Sequence, residues 1–141
     1  MDDKKIETQG IHLLKATLKD IPKLIEIEKK LTGSKIYSAM VTEKEWEEEI
    51  NKKNTKVYLI LKDEVVIGNT SYEKKDDGSV YISGLAIDPK FQNMGIGRIV
   101  VKMVLEELKN AKTINLVTHP ENKAAIKLYS SFGFKIESRK E

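Results

Sequence analysis

The residues best suited to chemistry in this chain are the small and polar ones of Gln92-x-x-Gly95-x-Gly97-Arg98, which lie between two apolar segments. Gly95 and Gly97 carry no side chain, so an anion can approach the backbone closely there. Immediately afterwards Ile99 and Met103, and then Val100, Val104 and Leu108, recur at helical spacings of three and four. The first amides of a helix lack internal partners and stand at the positive end of its dipole. A glycine loop that feeds such an end has the form of a phosphate cradle. The same residues would also serve an ordinary strand-to-helix connection whose glycines satisfy turn geometry, and this stretch alone leaves both readings open. Two phosphate motifs are excluded. A P-loop has Lys and then Ser or Thr after its last Gly, where this chain has Arg98-Ile99. A dinucleotide fingerprint has a third small residue three positions after its second Gly, where this chain has Val100.

A second set of residues lies downstream, Asn122-x-x-Ala125-x-x-x-Tyr129-x-x-x-Gly133-Phe134. Ala125 and Tyr129 are four apart and share one helix face, where a small residue makes room beside the ring. Asn122 stands where its amide can cap that helix. By itself Tyr129 is equally an amphipathic core tyrosine. In this order and at this distance, the two sets resemble the acetyl-CoA pyrophosphate loop and the second signature region of the GNAT superfamily of N-acetyltransferases. The resemblance covers residues 11–137 in element order, and its specific motifs lie within 80–134.

The resemblance implies an acyltransferase that moves an acetyl group from acetyl-CoA to a primary amine, directly and in a ternary complex, with no metal. It implies that Gln92, Asn93, Met94, Gly95, Ile96, Gly97 and Arg98 form the cofactor loop, the amides of Met94 to Arg98 holding the pyrophosphate. Leu85, Ala86 and Ile87 would run beside the pantetheine arm, and Asn122, Ala125 and Tyr129 would surround its far end. Tyr129 would be the catalytic residue, protonating or hydrogen-bonding the leaving thiolate. Family members often carry a Glu just before the Leu-Ala-Ile segment as general base. Here Ser83 and Gly84 stand there, and Val117 occupies a strand position that is Glu in some protein N-terminal acetyltransferases. The missing carboxylates point to amines of low pKa or to a water-relayed base such as Glu73. They also keep open a catalytically weak CoA-binding sensor or pseudoenzyme. His119 is a further acid–base candidate, since imidazole titrates near neutrality.

The elements that must position these residues follow from pattern. Ile11 to Ala16 can form a first strand after a polar leader, residues 1–10. A helix is predicted over Thr17 to Lys30, with Asp20 as cap, Pro22 in the first turn and Leu24, Ile25, Ile27 and Leu31 as apolar face. Thr42 followed by Glu45 opens a second helix to Ile50, anchored by Trp46. Val57–Leu61, Val65–Tyr72 and Val80–Ile87 read as three strands joined by turns, with Asp77-Gly78 a hairpin signal. After the long helix come a strand over Ile114–Thr118, a helix over Lys123–Phe132 capped by Gly133, and a last strand over Phe134–Glu137. The predicted class is α/β, a GNAT-like mixed and mostly antiparallel central sheet flanked by helices, in the order β-α-α-β-β-β-α-β-α-β. Residues 11–141 would form one domain. The family's usual final strand has no room before Glu141, and an uncovered sheet edge would invite a homodimer.

Composition narrows the class further. The 141 residues are 40% hydrophobic and 33% charged, with a formal charge of +3, as expected of a soluble globular domain. No Arg-rich block or basic stripe suggests nucleic acid. The absence of Cys removes disulfides, thiolate metal sites and a Cys nucleophile, and the two histidines stand far apart. No apolar run approaches the ~20 residues that would cross a bilayer, and the charged N-terminus lacks a signal-peptide core. The expectation is a cytoplasmic protein without membrane or nucleic-acid partners.

Overall fold

The computed structural model describes residues 5–8, 10–33 and 39–135, with the backbone alone for 5–8. Among these residues six strands form one sheet in sequence order: β1 Lys5–Thr8, β2 Ile11–Lys15, β3 Thr55–Lys62, β4 Val65–Lys74, β5 Ser79–Ile87 and β6 Thr113–Leu116. The helices are α1 Ile21–Lys29, α2 Glu43–Asn51, α3 Ile96–Glu107 and α4 Lys123–Ser130. Neighbouring strands run antiparallel from β1 to β5, and β5 pairs with β6 in parallel. This is the predicted mixed, mostly antiparallel sheet, with one strand added in front.

The period of two along β3 divides the core. Val57, Leu59 and Leu61 face Ile21 and Leu24 of α1 and Trp46 of α2. Tyr58 and Ile60 face the other way, toward Ile96, Val100, Met103, Val104 and Leu108 on the apolar stripe of α3. The sheet is thus sandwiched between α1/α2 and α3.

Local chemistry sets the helix ends. The predicted helix over Thr17–Lys30 becomes a 3-10 turn, Leu18–Asp20, and then α1, because the Thr17 amide donates to Asp20 Oδ2 at 2.8 Å and closes a separate first turn. At α2 the Thr42 hydroxyl accepts the Glu45 amide at 3.2 Å, as the capping signal predicts. Trp46 is buried and its Nε1 donates to the Met40 carbonyl at 2.9 Å.

Two expectations need correction. The polar leader is not all leader, since Lys5–Thr8 pairs with Ile11–Lys15 as β1. The predicted last strand does not begin at Phe134. The Phe134 amide donates to the Tyr129 carbonyl and that of Gly133 to Ser130, the paired bonds of a Schellman cap, with Gly133 at φ 97°. Those bonds spend on α4 the amide a ladder would need. Phe134 and Lys135 carry no ladder, and residues 136–137 lie outside the described ones. Because β1 and β2 add to the β3 side, no strand lies beyond β6 among the described residues.

Candidate active site

β5 and β6 part company partway along. Their pairing ends at Ile82 with Leu116, while β5 continues beside β4 until Ile87 meets Gly68. From Ser83 to Ile87 one edge of β5 therefore has no strand neighbour among the described residues. A register shift falls at the same place. Tyr72 pairs with Ile82 and Ser71 with Gly84, so Ser83 is the extra residue of a bulge. Hydroxyls brace this bulge. Thr70 Oγ1 donates to the Gly84 carbonyl at 2.7 Å, and the Ser71 and Ser83 Oγ atoms lie 2.9 Å apart. Leu85, Ala86 and Ile87 follow along the open edge, where an extended ligand could continue the sheet.

The strand ends in a tightly fastened loop. Asp88 donates its amide to the Ile67 carbonyl at 2.7 Å, and its carboxylate accepts the Lys90 amide at 2.9 Å and the Lys30 ammonium at 2.7 Å. Burial pushes its carboxyl up, but the Lys30 hydrogen bond, the Lys90 amide and the two lysine charges outweigh that and hold it below the usual range. Lys30 is raised in turn by the same hydrogen bond. Gln92 is exposed, and its Nε2 donates to the Ile87 carbonyl at 2.8 Å and ties the loop to the strand end. Asn93 at φ 63° and Gly95 at φ 81° then turn the chain into α3. The first backbone bond of α3 runs from Ile99 to Gly95 at 3.3 Å, which leaves the amides of Ile96, Gly97 and Arg98 unpaired within the helix. Met94 is exposed beside them.

The two glycines have different reasons to be there. Gly95 supplies a left-handed φ. Gly97 does not, and a Cβ on it would meet only Leu128 Cδ2 at 3.6 Å and Ile87 Cδ1 at 3.8 Å, ordinary contacts. Neither backbone nor packing requires glycine at position 97, where the missing methyl leaves room between Ile87 of β5 and Leu128 of α4.

α4 closes that gap. Asn122 Oδ1 accepts the Ala125 amide at 3.1 Å and caps the helix. The Arg98 guanidinium lies 5.3 Å from the centre of the Phe132 ring and ties the start of α3 to the end of α4. Tyr129 is half-buried and edge-on to Phe134, with ring centres 5.6 Å apart. Burial pushes its phenol up to about 12. His119 lies in an exposed loop, its Nδ1 accepting the Glu121 amide at 3.0 Å.

Sequence reasoning missed the other side of the bulge. Glu28 of α1 is 1% exposed and accepts Asn69 Nδ2 and the Met40 amide, each at 2.9 Å. With the bond from Trp46 to Met40, it fastens the chain before α2 to the middle of β4. The signal was available, since Glu28 stands four residues after Leu24 on the apolar face of α1, where a carboxylate must find donors. Asn69-Thr70-Ser71, a polar run inside a central strand, was another such signal. Glu73, the candidate relayed base, is paired with Lys52 at 3.2 Å and Lys75 at 3.3 Å, and those hydrogen bonds hold it below its usual range.

Comparison with known proteins agrees with this geometry. Residues 21–134 match the acetyltransferase (GNAT) family. A [ribosomal protein bS18]-alanine N-acetyltransferase of Salmonella typhimurium is 40% identical over 52 residues, 36% of this chain and 35% of that protein. The matched segment is thus about a third of that relative's length. Among solved structures, the ribosomal-protein-S18-alanine N-acetyltransferase of Escherichia coli superposes with a TM-score of 0.77 at 21% identity, covering 91% of this chain and 79% of its own. The PaiA N-acetyltransferase of Thermoplasma acidophilum, solved in complex with coenzyme A, gives 0.78 at 19% identity and 94% of each chain. At these identities the structural likeness speaks for the fold. Among the described residues, no helix is long and apolar enough to cross a membrane.

Proposed function

The chain belongs to the acetyltransferase (GNAT) family, and from that premise we propose that it moves an acetyl group from acetyl-CoA to a primary amine of a small molecule, peptide or protein N-terminus by direct attack in a ternary complex. One observation carries this reading. The open edge of β5 is followed, after the loop of residues 88–95, by the unpaired amides at the start of α3, so a single long ligand could pair with the strand and set its phosphates on the helix.

Acetyl-CoA supplies an activated thioester that an amine can attack without a covalent enzyme intermediate. The amides of Ile96, Gly97 and Arg98, with those of the Met94–Gly95 turn, hold the pyrophosphate. Gln92 and Asn93 act indirectly, Gln92 through its bond to Ile87 and Asn93 through its left-handed turn. The backbone of Leu85, Ala86 and Ile87 pairs with the pantetheine arm, which runs past Ala125 toward Tyr129, with the free Nδ2 of Asn122 available to it. Tyr129 stays protonated at every physiological pH, because its phenol lies at about 12. Full proton transfer from it to a thiolate of Cys-like pKa, about 8.5, would run uphill by roughly 5 kcal/mol. Its role is therefore to donate a hydrogen bond to the departing sulfur.

Two measurements test the proposal on the whole chain. CoA should raise the melting temperature, and thiol should be released from acetyl-CoA when amines are offered. CoA binding without thiol release on any amine would support the sensor reading, which the lack of an unpaired carboxylate on β4 or β5 favours. No stabilisation by CoA would sink both. A homodimer through the β6 edge, which has no further strand among the described residues, is a separate proposal, and a monomer in sedimentation would dismiss it.

A further inference from the structure

Ser83 stands where the two strands separate. β5 last pairs with β6 at Ile82 and resumes its register with β4 at Gly84, so the intervening Ser83 is unmatched on both sides. Its side chain is exposed, but its hydroxyl is not adrift. It meets Ser71 Oγ at 2.9 Å, and Ser71 is itself 6% exposed. Ser71 lies on the α1/α2 face of β4, as does Asn69, whose amide reaches Glu28 on α1. Thr70 pins the Gly84 carbonyl from the opposite face. The bulge thus presents one hydroxyl, fixed in place from behind, at the mouth of the open edge.

Among the described residues, the buried and half-buried carboxylates of α1, β4 and the end of β5 have partners. On the same face of β4, Glu73 lies between Lys52 and Lys75. From α1, Glu28 is held by Asn69 and Met40, and Lys30 is paired with Asp88 at the end of β5. β5 itself offers Tyr81 beside Ser83, and across the sheet Tyr81 pairs with Asn115 of β6, which is followed on that face by Val117. Beyond β6, His119 has its Nδ1 engaged by the Glu121 amide. From the α4 side, Tyr129 is a donor.

Resting on the acetyltransferase reading, the geometry points to Ser83 as the residue that positions the attacking amine, accepting one of its N–H groups, and to an acceptor that arrives already neutral. That selects amines such as an α-amine, with a pKa of about 8, over alkyl ammonium groups at about 10.4. The nitrogen lone pair forms the C–N bond as the C–S bond breaks. The sulfur leaves with the electron pair, and the proton lost by nitrogen ends on that sulfur, carried by solvent.

The test is kcat/KM against pH for the whole chain with amines of graded pKa, together with Ser83→Ala and Ser83→Thr. In the wild type the inflection should follow each amine's own pKa, with kcat/KM rising about tenfold per pH unit below it. Ser83→Ala should raise KM for the amine by about tenfold, the value of one hydrogen bond. It should leave the shape of the profile and CoA binding unchanged, and Ser83→Thr should restore most of the loss. One inflection near pH 6–7 common to all amines would reveal an enzyme base and overturn the inference, as would Ser83→Ala kinetics equal to wild type. Bound CoA with no amine acetylated at any pH, or failure to bind CoA at all, would instead strike the acetyltransferase reading beneath it.

Discussion

Gly97→Ala separates folding from cofactor binding, because the structure gives the two effects opposite signs. Gly97 is the second residue of α3, its φ is not left-handed, and a Cβ there would touch Leu128 Cδ2 at 3.6 Å and Ile87 Cδ1 at 3.8 Å without displacing either. Replacing Gly by Ala inside a helix gains up to about 1 kcal/mol, less in the first turn, so roughly 0.5 kcal/mol is expected. For a chain of this size that corresponds to a melting temperature about 2 °C higher. The new methyl would, however, stand between Ile87 of β5 and Leu128 of α4, beside the amide of residue 97. A phosphate that approaches the backbone there must retreat, weakening contact with the helix N-terminus. Losing one charge-assisted hydrogen bond, about 1.5–3 kcal/mol, would weaken CoA binding by roughly 10- to 150-fold. Calorimetric titration with CoA and thermal melts of the apo proteins, made side by side, read both quantities. A variant that is at least as stable as wild type and binds CoA equally well would refute the cradle at this position.

Tyr129→Phe should lower kcat by about 10- to 100-fold, the value of a hydrogen bond to a developing thiolate, with KM for acetyl-CoA little changed; wild-type turnover would remove the role. The phenol lies at about 12, so rate profiles should show no alkaline limb from Tyr129 below about pH 11. Glu28→Gln would turn an amide N–H toward either the Asn69 amide or the Met40 N–H, leaving one buried donor unpaired at about 1–3 kcal/mol. The melting temperature should fall by roughly 3–10 °C, and an unchanged melt would show that Glu28 does not fasten the chain before α2. Asp88 binds its proton less readily in the folded than in the unfolded chain, so the stability it contributes is present above its ordinary pKa and lost as pH falls through its depressed one. Asp88→Asn should therefore melt earlier at pH 7, with the gap to wild type narrowing below about pH 4; a constant gap would contradict this account.

The loop and helix start proposed to hold the cofactor were legible because their signals are contiguous. Gly95 needs its left-handed φ, the amides it exposes belong to the next three residues, and the apolar spacing that defines α3 begins within the same dozen positions. The three central strands were legible for a similar reason, as turn chemistry at Asp77-Gly78 sets the hairpin and strand alternation sets the faces. β1 was hidden because Lys5-Ile6-Glu7-Thr8 has little apolar content of its own and becomes a strand through pairing with β2. At the other end, the Phe134–Glu137 pattern reads as a strand, but the Schellman bonds of Gly133 and Phe134 take the first amides.

The acceptor side could not be read that way, and the reason is physical. A phosphate is held by backbone groups, which neighbours in sequence supply together. The acceptor side proposed at the bulge is built from side chains, and these come from separate places: Ser71 from β4, Ser83 from β5, and the supporting Glu28 and Lys30 from the end of α1. Only the register that sets Ser71 against Gly84 brings the two hydroxyls within 2.9 Å, and no spacing along the chain encodes that register. The same last turn of α1 grips both halves, with Glu28 fixing the chain before α2 and Lys30 fixing Asp88 at the head of the cofactor loop. A change in that turn should therefore disturb acceptor and cofactor together, whereas a change at Ser83 should touch the acceptor alone. That difference separates residues that hold the site open from the one that meets the amine.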